Sequence, residues 1–149
     1  MPGIYVHIPF CRTACHYCDF HFSTSLQRTG EFVNALLKEV GLRKESGFWD
    51  GYEFNTLYFG GGTPSVLPPK DLKRITDAIK AEFLPENMTS FKETTIEVNP
   101  EDVNESALQG WLDAGFDRLS IGVQSFEDSQ LEWMNRKHSG SEAVKAVEL

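Results

Sequence analysis

Three cysteines, Cys11, Cys15 and Cys18, are the residues whose type and spacing most directly indicate chemistry. They are the only cysteines in the chain and follow the pattern C-x3-C-x2-C. Thiolates this close in sequence can hold one small inorganic centre from a single loop. Iron–sulfur clusters are usually held by four cysteines, so a three-cysteine site leaves one metal position open to another ligand.

Three other interpretations of these cysteines stay open. A disulfide with a spare thiol is disfavoured, because the cysteine count is odd and no secretory signal is recognisable. A structural zinc site would take His7, His16 or His21 as its fourth ligand, although zinc ligands usually come in pairs on separate knuckles. Inert buried cysteines are a further alternative, but three in so short a stretch are hard to explain in that way.

Three later segments carry residues suited to ligand contact, and each follows an apolar run. They are Gly-Gly-Gly-Thr-Pro at 60–64, Glu-Val-Asn-Pro at 97–100 and Gln-Ser-Phe at 124–126. Glycines let the backbone approach a ligand closely. The carboxylate of Glu97 can pair with a cationic ligand group, and the amide of Gln124 can donate and accept at once. The plainer alternatives are a tight turn for the glycine segment, a surface ion pair for Glu97 and a strand cap for Gln124.

The elements that must position these residues follow from hydrophobic periodicity. Strands are predicted at 3–8, 54–59, 94–98 and 118–123, and helices at 31–45, 68–83, 104–115, 127–135 and 143–149. Asn104 is the predicted N-cap of the third helix, and Gly115 suits its C′ position. The alternating order predicts an α/β fold, a parallel sheet with flanking helices. All the segments above then fall at the C-terminal ends of strands, where such folds form their sites.

Composition narrows the function classes. Fourteen basic against twenty-two acidic residues give a net charge of −8, which argues against nucleic-acid binding and against basic adsorption to membranes. No apolar run approaches the roughly 20 residues of a membrane span. Reduced cysteines without a signal segment predict a cytoplasmic protein.

The segment from Tyr5 to Phe20, which reads Y-x-H-I-P-F-C-x3-C-x2-C-x-F, resembles the opening of the radical S-adenosylmethionine (SAM) family. The branch it resembles holds the oxygen-independent coproporphyrinogen III oxidases and the HemW-type heme chaperones. The three later segments also match, so the resemblance covers nearly the whole chain. It implies a 4Fe-4S cluster on the three cysteines, with SAM bound at the fourth iron.

The resemblance also implies which residues lie near SAM, and it assigns no catalytic residue. The implied cofactor-binding residues are Tyr5, Tyr17, Gly61, Gly62, Thr63, Glu97, Gln124 and Arg136. Among them, Arg136 would hold the methionyl carboxylate as a fork, and its plainer alternative is a solvated basic turn. Tyr5 and Tyr17 would pack near the cofactor, with ordinary core packing as the alternative.

For the fold, the resemblance implies the N-terminal part of a partial (β/α) barrel of TIM type. Residues 1–149 would form the N-terminal portion of the radical SAM core domain, since a closed barrel takes about 250 residues. The rest of the barrel and a C-terminal domain would then be absent from this chain.

For the function, the resemblance leaves two activities. The oxidases decarboxylate porphyrinogen propionates through a 5′-deoxyadenosyl radical, whereas the chaperones bind heme and deliver it to an acceptor protein. The oxidases carry a further cysteine where this chain has Phe20, which favours the chaperone. The segment from Glu132 to Arg136 departs from the chaperones, which more often have a leucine-glycine-arginine ending there. The implied partners are SAM, porphyrin or heme, an electron donor and a heme-acceptor protein. A zinc module, a heme-binding protein without radical chemistry and an inactive remnant stay open as alternatives.

Overall fold

Four parallel strands lie side by side in chain order and form the sheet on which the site is built. In the computed structural model, which describes residues 2–149, they are β1 (Gly3–Ile8), β2 (Thr56–Gly61), β3 (Glu93–Val98) and β4 (Arg118–Ile121). The predicted α/β class with a parallel sheet is confirmed.

Within the part of the chain that the structure describes, five α-helices connect or follow the strands. They are α1 (Thr29–Glu45), α2 (Pro69–Phe83), α3 (Glu105–Asp113), α4 (Asp128–Trp133) and α5 (Gly140–Glu148). Short 3-10 turns at Pro64–Val66 and Pro100–Asp102 follow β2 and β3. Within residues 2–149, no helix has both the length and the apolar character needed to cross a membrane.

The two faces of the sheet differ in polarity because side chains alternate along each strand. One face presents Val6, Ile8, Leu57, Phe59 and Ile96, which are buried together with apolar residues of α1, α2 and α3. The alternate positions carry polar or aromatic side chains, among them Tyr5, His7, Tyr58 and Glu97. The apolar face therefore forms the core, and the polar residues of the site lie on the other face and at the strand ends.

The predicted helix caps of α3 are confirmed. The side chain of Asn104 accepts a hydrogen bond from the Ala107 N–H, as an N-cap should. Gly115 has φ of +91° and donates its N–H to the Leu112 carbonyl, which closes the helix at its C-terminus.

The C-terminal ends of two strands differ from the prediction. Strand β2 does not stop before the glycines but runs through Gly60 and Gly61, which pair with His7 and Ile8 of β1. Strand β4 ends at Ile121 instead of 123, because the Val123 N–H turns back to the Ile121 carbonyl. The first difference matters for the site, because it makes the glycines part of the sheet edge.

Candidate functional site

The cysteine loop is anchored at its base by backbone hydrogen bonds. Cys11 donates its N–H to the Ser23 carbonyl at 3.0 Å, and Ser23 donates to the Pro9 carbonyl at 2.8 Å. Within the loop, the Cys18 N–H reaches the Cys15 carbonyl at 3.2 Å and forms a tight turn. The loop between residues 11 and 23 is thus closed at its base, and its cysteines project from one short segment.

The glycine segment continues the pairing of β1 and β2 into this loop. Gly62 donates its N–H to the Ile8 carbonyl at 2.8 Å, and Thr63 donates to the Phe10 carbonyl at 2.7 Å. These two bonds fix the backbone on both sides of Pro9 against the end of β2. The position of Cys11 is therefore set by main-chain contacts to the glycine segment.

At each of the three glycines, an added Cβ would come too close to a different neighbour. A Cβ at Gly60 would lie within 3.0 Å of Tyr58 and the Glu97 carboxylate, and one at Gly61 would lie 2.6 Å from the His7 ring. Gly61 also has φ of +113°, a conformation that side chains rarely tolerate. A Cβ at Gly62 would lie 2.6 Å from the Phe10 carbonyl oxygen. The segment accordingly packs directly against the backbone of the cysteine loop.

The cysteine loop is also clamped to the C-terminal end of α4. His16 donates its main-chain N–H to the Met134 carbonyl at 3.2 Å, and its Nδ1 lies 2.8 Å from the Trp133 carbonyl oxygen. Asn135, in a left-handed conformation with φ of +60°, donates from its side chain to the Ala14 carbonyl. These contacts hold the cysteine loop independently of the glycine segment.

A third connection passes through Asp102, just after β3. Its carboxylate accepts from the Ser65 hydroxyl at 2.6 Å and from Arg12 Nε at 3.1 Å. The Asp102 side chain is only 8% exposed, whereas that of Arg12 is half exposed. One carboxylate thus joins the loops that follow β1, β2 and β3, and nothing in the sequence pattern singled it out.

All three cysteines line a single cavity of about 260 Å³ at the C-terminal ends of the strands. Seven of the eight predicted cofactor-binding residues line it with them, namely Tyr17, Gly61, Gly62, Thr63, Glu97, Gln124 and Arg136. Tyr5 is the exception, because it lines a different cavity beside β1. Its hydroxyl forms a hydrogen bond of 3.1 Å with His7 Nδ1. The fold therefore brings together residues that are up to 125 positions apart in the sequence.

Arg136 is the most heavily engaged cation of the cavity. Its Nη2 donates to Asn99 Oδ1 and to the Gly122 carbonyl, both at 2.8 Å, and its Nη1 lies 3.5 Å from Cys15 Sγ. Its Nε is buried without a hydrogen-bond partner. A buried donor left unpaired is costly, so this atom is available to an acceptor on a bound ligand.

Glu97 already accepts two hydrogen bonds. Tyr58 donates its hydroxyl to one carboxylate oxygen at 2.6 Å, and Gly61 donates its N–H to the other at 3.1 Å. The bond to Glu97 raises the pKa of Tyr58, because the proton is held between the two groups. These bonds fix the carboxylate at the cavity wall, and sequence reasoning had not identified Tyr58.

Gln124 has a left-handed backbone with φ of +65°, which is uncommon outside glycine. Strain of this kind persists where the surrounding structure enforces it, and it is concentrated at functional sites. The turn after β4 thereby brings both Gln124 and Gly122 to the cavity.

One thiol and one phenol of the cavity, those of Cys11 and Tyr17, have raised pKa values. Burial raises the pKa of the Cys11 thiol, and the hydrogen bond from the Thr63 hydroxyl at 3.6 Å opposes that rise. Burial also raises the pKa of Tyr17. All three cysteines are free thiols and are partly exposed to the cavity. Across residues 2–149, no three His, Cys, Asp or Glu side chains are grouped to hold a single metal ion.

The family described as the Radical SAM superfamily matches residues 5–149, nearly the whole chain. The chain belongs to the radical SAM superfamily.

Within the superfamily, the chain is similar to HemW and HemN proteins. It is 37% identical to heme chaperone HemW of Bacillus subtilis and 35% identical to that of Escherichia coli, over 99% of this chain in each case. It spans 38% of the length of both relatives. The solved structure of coproporphyrinogen III oxidase HemN from E. coli superposes with a TM-score of 0.85 at 28% identity, over 98% of this chain and 33% of that one. The expected fold, the N-terminal part of the radical SAM fold, is confirmed.

Membership of the radical SAM superfamily implies a 4Fe-4S cluster and SAM. The cavity is compatible with both, on three observations of the structure. Its thiols are free, a Cβ at Gly62 would fill the space against Cys11 Sγ, and Arg136 Nε is buried without a partner. Soft thiolates suit iron–sulfur clusters, and an unpaired guanidinium donor suits a carboxylate.

Proposed function

We propose that this chain is the N-terminal portion of the radical SAM core of a HemW-type heme chaperone. The observation that carries the proposal is the single cavity lined by Cys11, Cys15 and Cys18 together with Thr63 and Arg136. The similarity to HemW proteins along 99% of the chain supports the branch. Residues 1–149 would form one domain, and the remainder of the relatives' length would supply the parts that this chain does not contain.

The three cysteines would hold the 4Fe-4S cluster and leave one iron open to SAM. When bound, the cluster and SAM together supply one-electron and radical chemistry, which the protein itself does not provide. The contribution of the chain is to orient and enclose these groups. The glycine segment and the clamps from α4 hold the cysteine loop in place without side chains between it and β2.

The polar residues of the cavity would bind the two ends of SAM. Arg136 would offer its unpaired Nε to the methionyl carboxylate, since guanidinium and carboxylate form strong, directional hydrogen bonds. Glu97 would face a cationic group such as the ammonium or sulfonium. Gln124 would bind a hydroxyl or carboxylate, because its amide can donate and accept. Gly61, Gly62 and Tyr17 would line the pocket around them.

Phe20 favours the chaperone over the oxidase. It lines the cavity and its side chain is 71% exposed, in the place where the oxidases have a further cysteine. An exposed aromatic ring offers apolar surface to a flat, apolar macrocycle such as heme. Heme is therefore proposed as a further ligand, with an electron donor and a heme-acceptor protein as partners. The second candidate, coproporphyrinogen III oxidation, is favoured by the structural likeness to HemN.

The experiment is anaerobic reconstitution of the full chain with iron and sulfide, followed by three assays on the same sample. We expect about four irons per chain, heme uptake seen as a Soret band, and no decarboxylation of coproporphyrinogen. A Cys18→Ser variant, which replaces one proposed ligand by a residue of nearly the same shape, should lose most of the bound iron. Vinyl-porphyrinogen formation would favour the oxidase, and one tightly bound zinc in place of iron would refute both candidates.

A further inference from the structure

A continuous chain of hydrogen bonds connects Arg136 to Cys11. Arg136 Nη2 donates to Asn99 Oδ1 at 2.8 Å, Asn99 Nδ2 donates to Thr63 Oγ1 at 3.4 Å, and the Thr63 hydroxyl points to Cys11 Sγ at 3.6 Å. The four residues come from four separate loops, since Cys11 follows β1, Thr63 follows β2, Asn99 follows β3 and Arg136 lies between α4 and α5. Asn99 occupies the middle of this chain.

The direction of the chain is fixed by its first member. A guanidinium can only donate hydrogen bonds, so the Asn99 carbonyl oxygen must face Arg136. The Asn99 amide nitrogen therefore faces Thr63 and donates to its hydroxyl oxygen. Because the Thr63 oxygen accepts from Asn99, its own proton is left to point at the sulfur of Cys11. Each bond thus polarises the next toward the thiolate.

Burial gives this arrangement its strength. Thr63 is only 6% exposed, so its hydroxyl has little access to water as an alternative partner. Hydrogen bonds are electrostatically stronger in such an environment than in water. Thr63 is also held from the backbone, because its N–H bonds to the Phe10 carbonyl at 2.7 Å. The backbone of Thr63 is thereby held in place, and the hydrogen bond from the Asn99 amide orients the Thr63 hydroxyl.

We propose that Asn99 is a positioning residue that directs the Thr63 hydroxyl to Cys11 and thereby raises the reduction potential of the cluster. The inference rests on the proposed function, because it concerns the cluster that Cys11 would hold. Hydrogen bonds to ligand sulfurs are among the factors that set the potential of iron–sulfur clusters. They stabilise the reduced form more than the oxidised form, since the reduced cluster carries one more negative charge. Residues around the ligands commonly tune a metal centre in this way.

The test is a redox titration of the reconstituted full chain in the absence of SAM, in which EPR measures the fraction of reduced cluster at each potential. We expect Thr63→Val to shift the cluster potential to a more negative value and Thr63→Ser, which keeps the hydroxyl, to leave it near that of the parent. Asn99→Ala should shift it in the same direction as Thr63→Val. In the double variant, the loss of Asn99 should add nothing, because its effect passes through Thr63. Thr76→Val is the matched control, since this buried threonine bonds to carbonyls of α2 and the α3 terminus instead.

The outcomes separate the two proposals. A parent protein that assembles no cluster refutes the proposed function and this inference with it. A parent cluster whose potential is the same in Thr63→Val refutes only the inference. Equal shifts from Asn99→Ala with and without the Thr63 hydroxyl would also overturn it, because Asn99 would then act by another route. If Thr63→Val assembles no cluster, Asn99→Ala decides alone, and an unchanged potential in that variant overturns the inference.

Discussion

Replacing Gly62 by alanine tests how the cysteine loop is positioned. The new Cβ would lie 2.6 Å from the Phe10 carbonyl oxygen, 2.9 Å from the Phe10 nitrogen and 3.0 Å from Cys11 Sγ. Two of these atoms are backbone, so the loop itself must move by several tenths of an ångström. Overpacking of this kind typically costs about 1–3 kcal/mol. For a chain of this size that corresponds to a fall in Tm of roughly 2–12 °C.

The matched controls are Gly30→Ala and Gly41→Ala in α1, where an added Cβ meets nothing within 4 Å. At Gly41, in the helix interior, the same chemical change should stabilise the helix by about 0.5–1 kcal/mol, because alanine has the higher helix propensity. At Gly30, in the first turn, the gain should be smaller. Tm would be measured by calorimetry on the cluster-free chain, and bound iron would be measured after reconstitution. We expect Gly62→Ala to lower both quantities and the helix variants to retain full iron content. A Gly62→Ala protein with parental Tm and iron content would refute the account of the loop.

Three further predictions address single residues. Arg136→Lys should weaken SAM binding at least tenfold in an equilibrium titration, because lysine lacks the planar fork and the Nε donor; unchanged affinity would contradict the assigned role. Burial raises the pKa of the Cys11 thiol, so less of it is thiolate at pH 7. Alkylation of Cys11 in the cluster-free chain, measured by mass spectrometry, should therefore be slower at pH 7 than alkylation of an unstructured cysteine peptide. The rate should increase as the pH rises. Equal rates for the two at pH 7 would refute the effect of burial. Asn104→Ala should lower Tm by about 2–4 °C, since an N-cap contributes about 1 kcal/mol, and an unchanged Tm would show that the cap contributes nothing.

The elements and their order could be predicted because each depends on local patterns. The alternating side chains of β1 and the apolar face of α2 at Leu72, Ile75, Ile79 and Phe83 are visible in the sequence. In the structure the first three helix residues are buried and Phe83 is partly buried. Asn104 and Gly115 act through neighbours within a few residues, so their cap positions were also predictable. The convergence of the strand ends followed from the parallel order of the sheet.

The contacts between loops could not be predicted in the same way. Asn99 and Asp102 act on residues 36 to 90 positions away, and no local pattern distinguishes them from ordinary polar residues of a turn. The only available signal for Asn99 was its place at the end of a strand. The extension of β2 through Gly60 and Gly61 was missed because glycine is a poor strand former, whereas here it is required by the contacts with Glu97 and His7.

Tyr5 shows that a sequence motif does not give the distance of a residue from the site. It lies three residues before the end of β1, which at about 3.3 Å per residue places it roughly 10 Å from the strand end. There it stacks on Tyr58, with ring centroids 6.0 Å apart, and lines a cavity other than that of the cysteines. Its assignment as a cofactor-binding residue stays a prediction.

The central claim is that three cysteines hold a 4Fe-4S cluster with one iron left open to SAM. The most direct measurement is EPR of the reduced cluster in the reconstituted chain, recorded before and after the addition of SAM. We expect the g-values to change on addition of SAM and to change much less in an Arg136→Lys variant at the same SAM concentration. A cluster spectrum that SAM leaves unaltered, at a concentration that saturates known SAM sites, would contradict it.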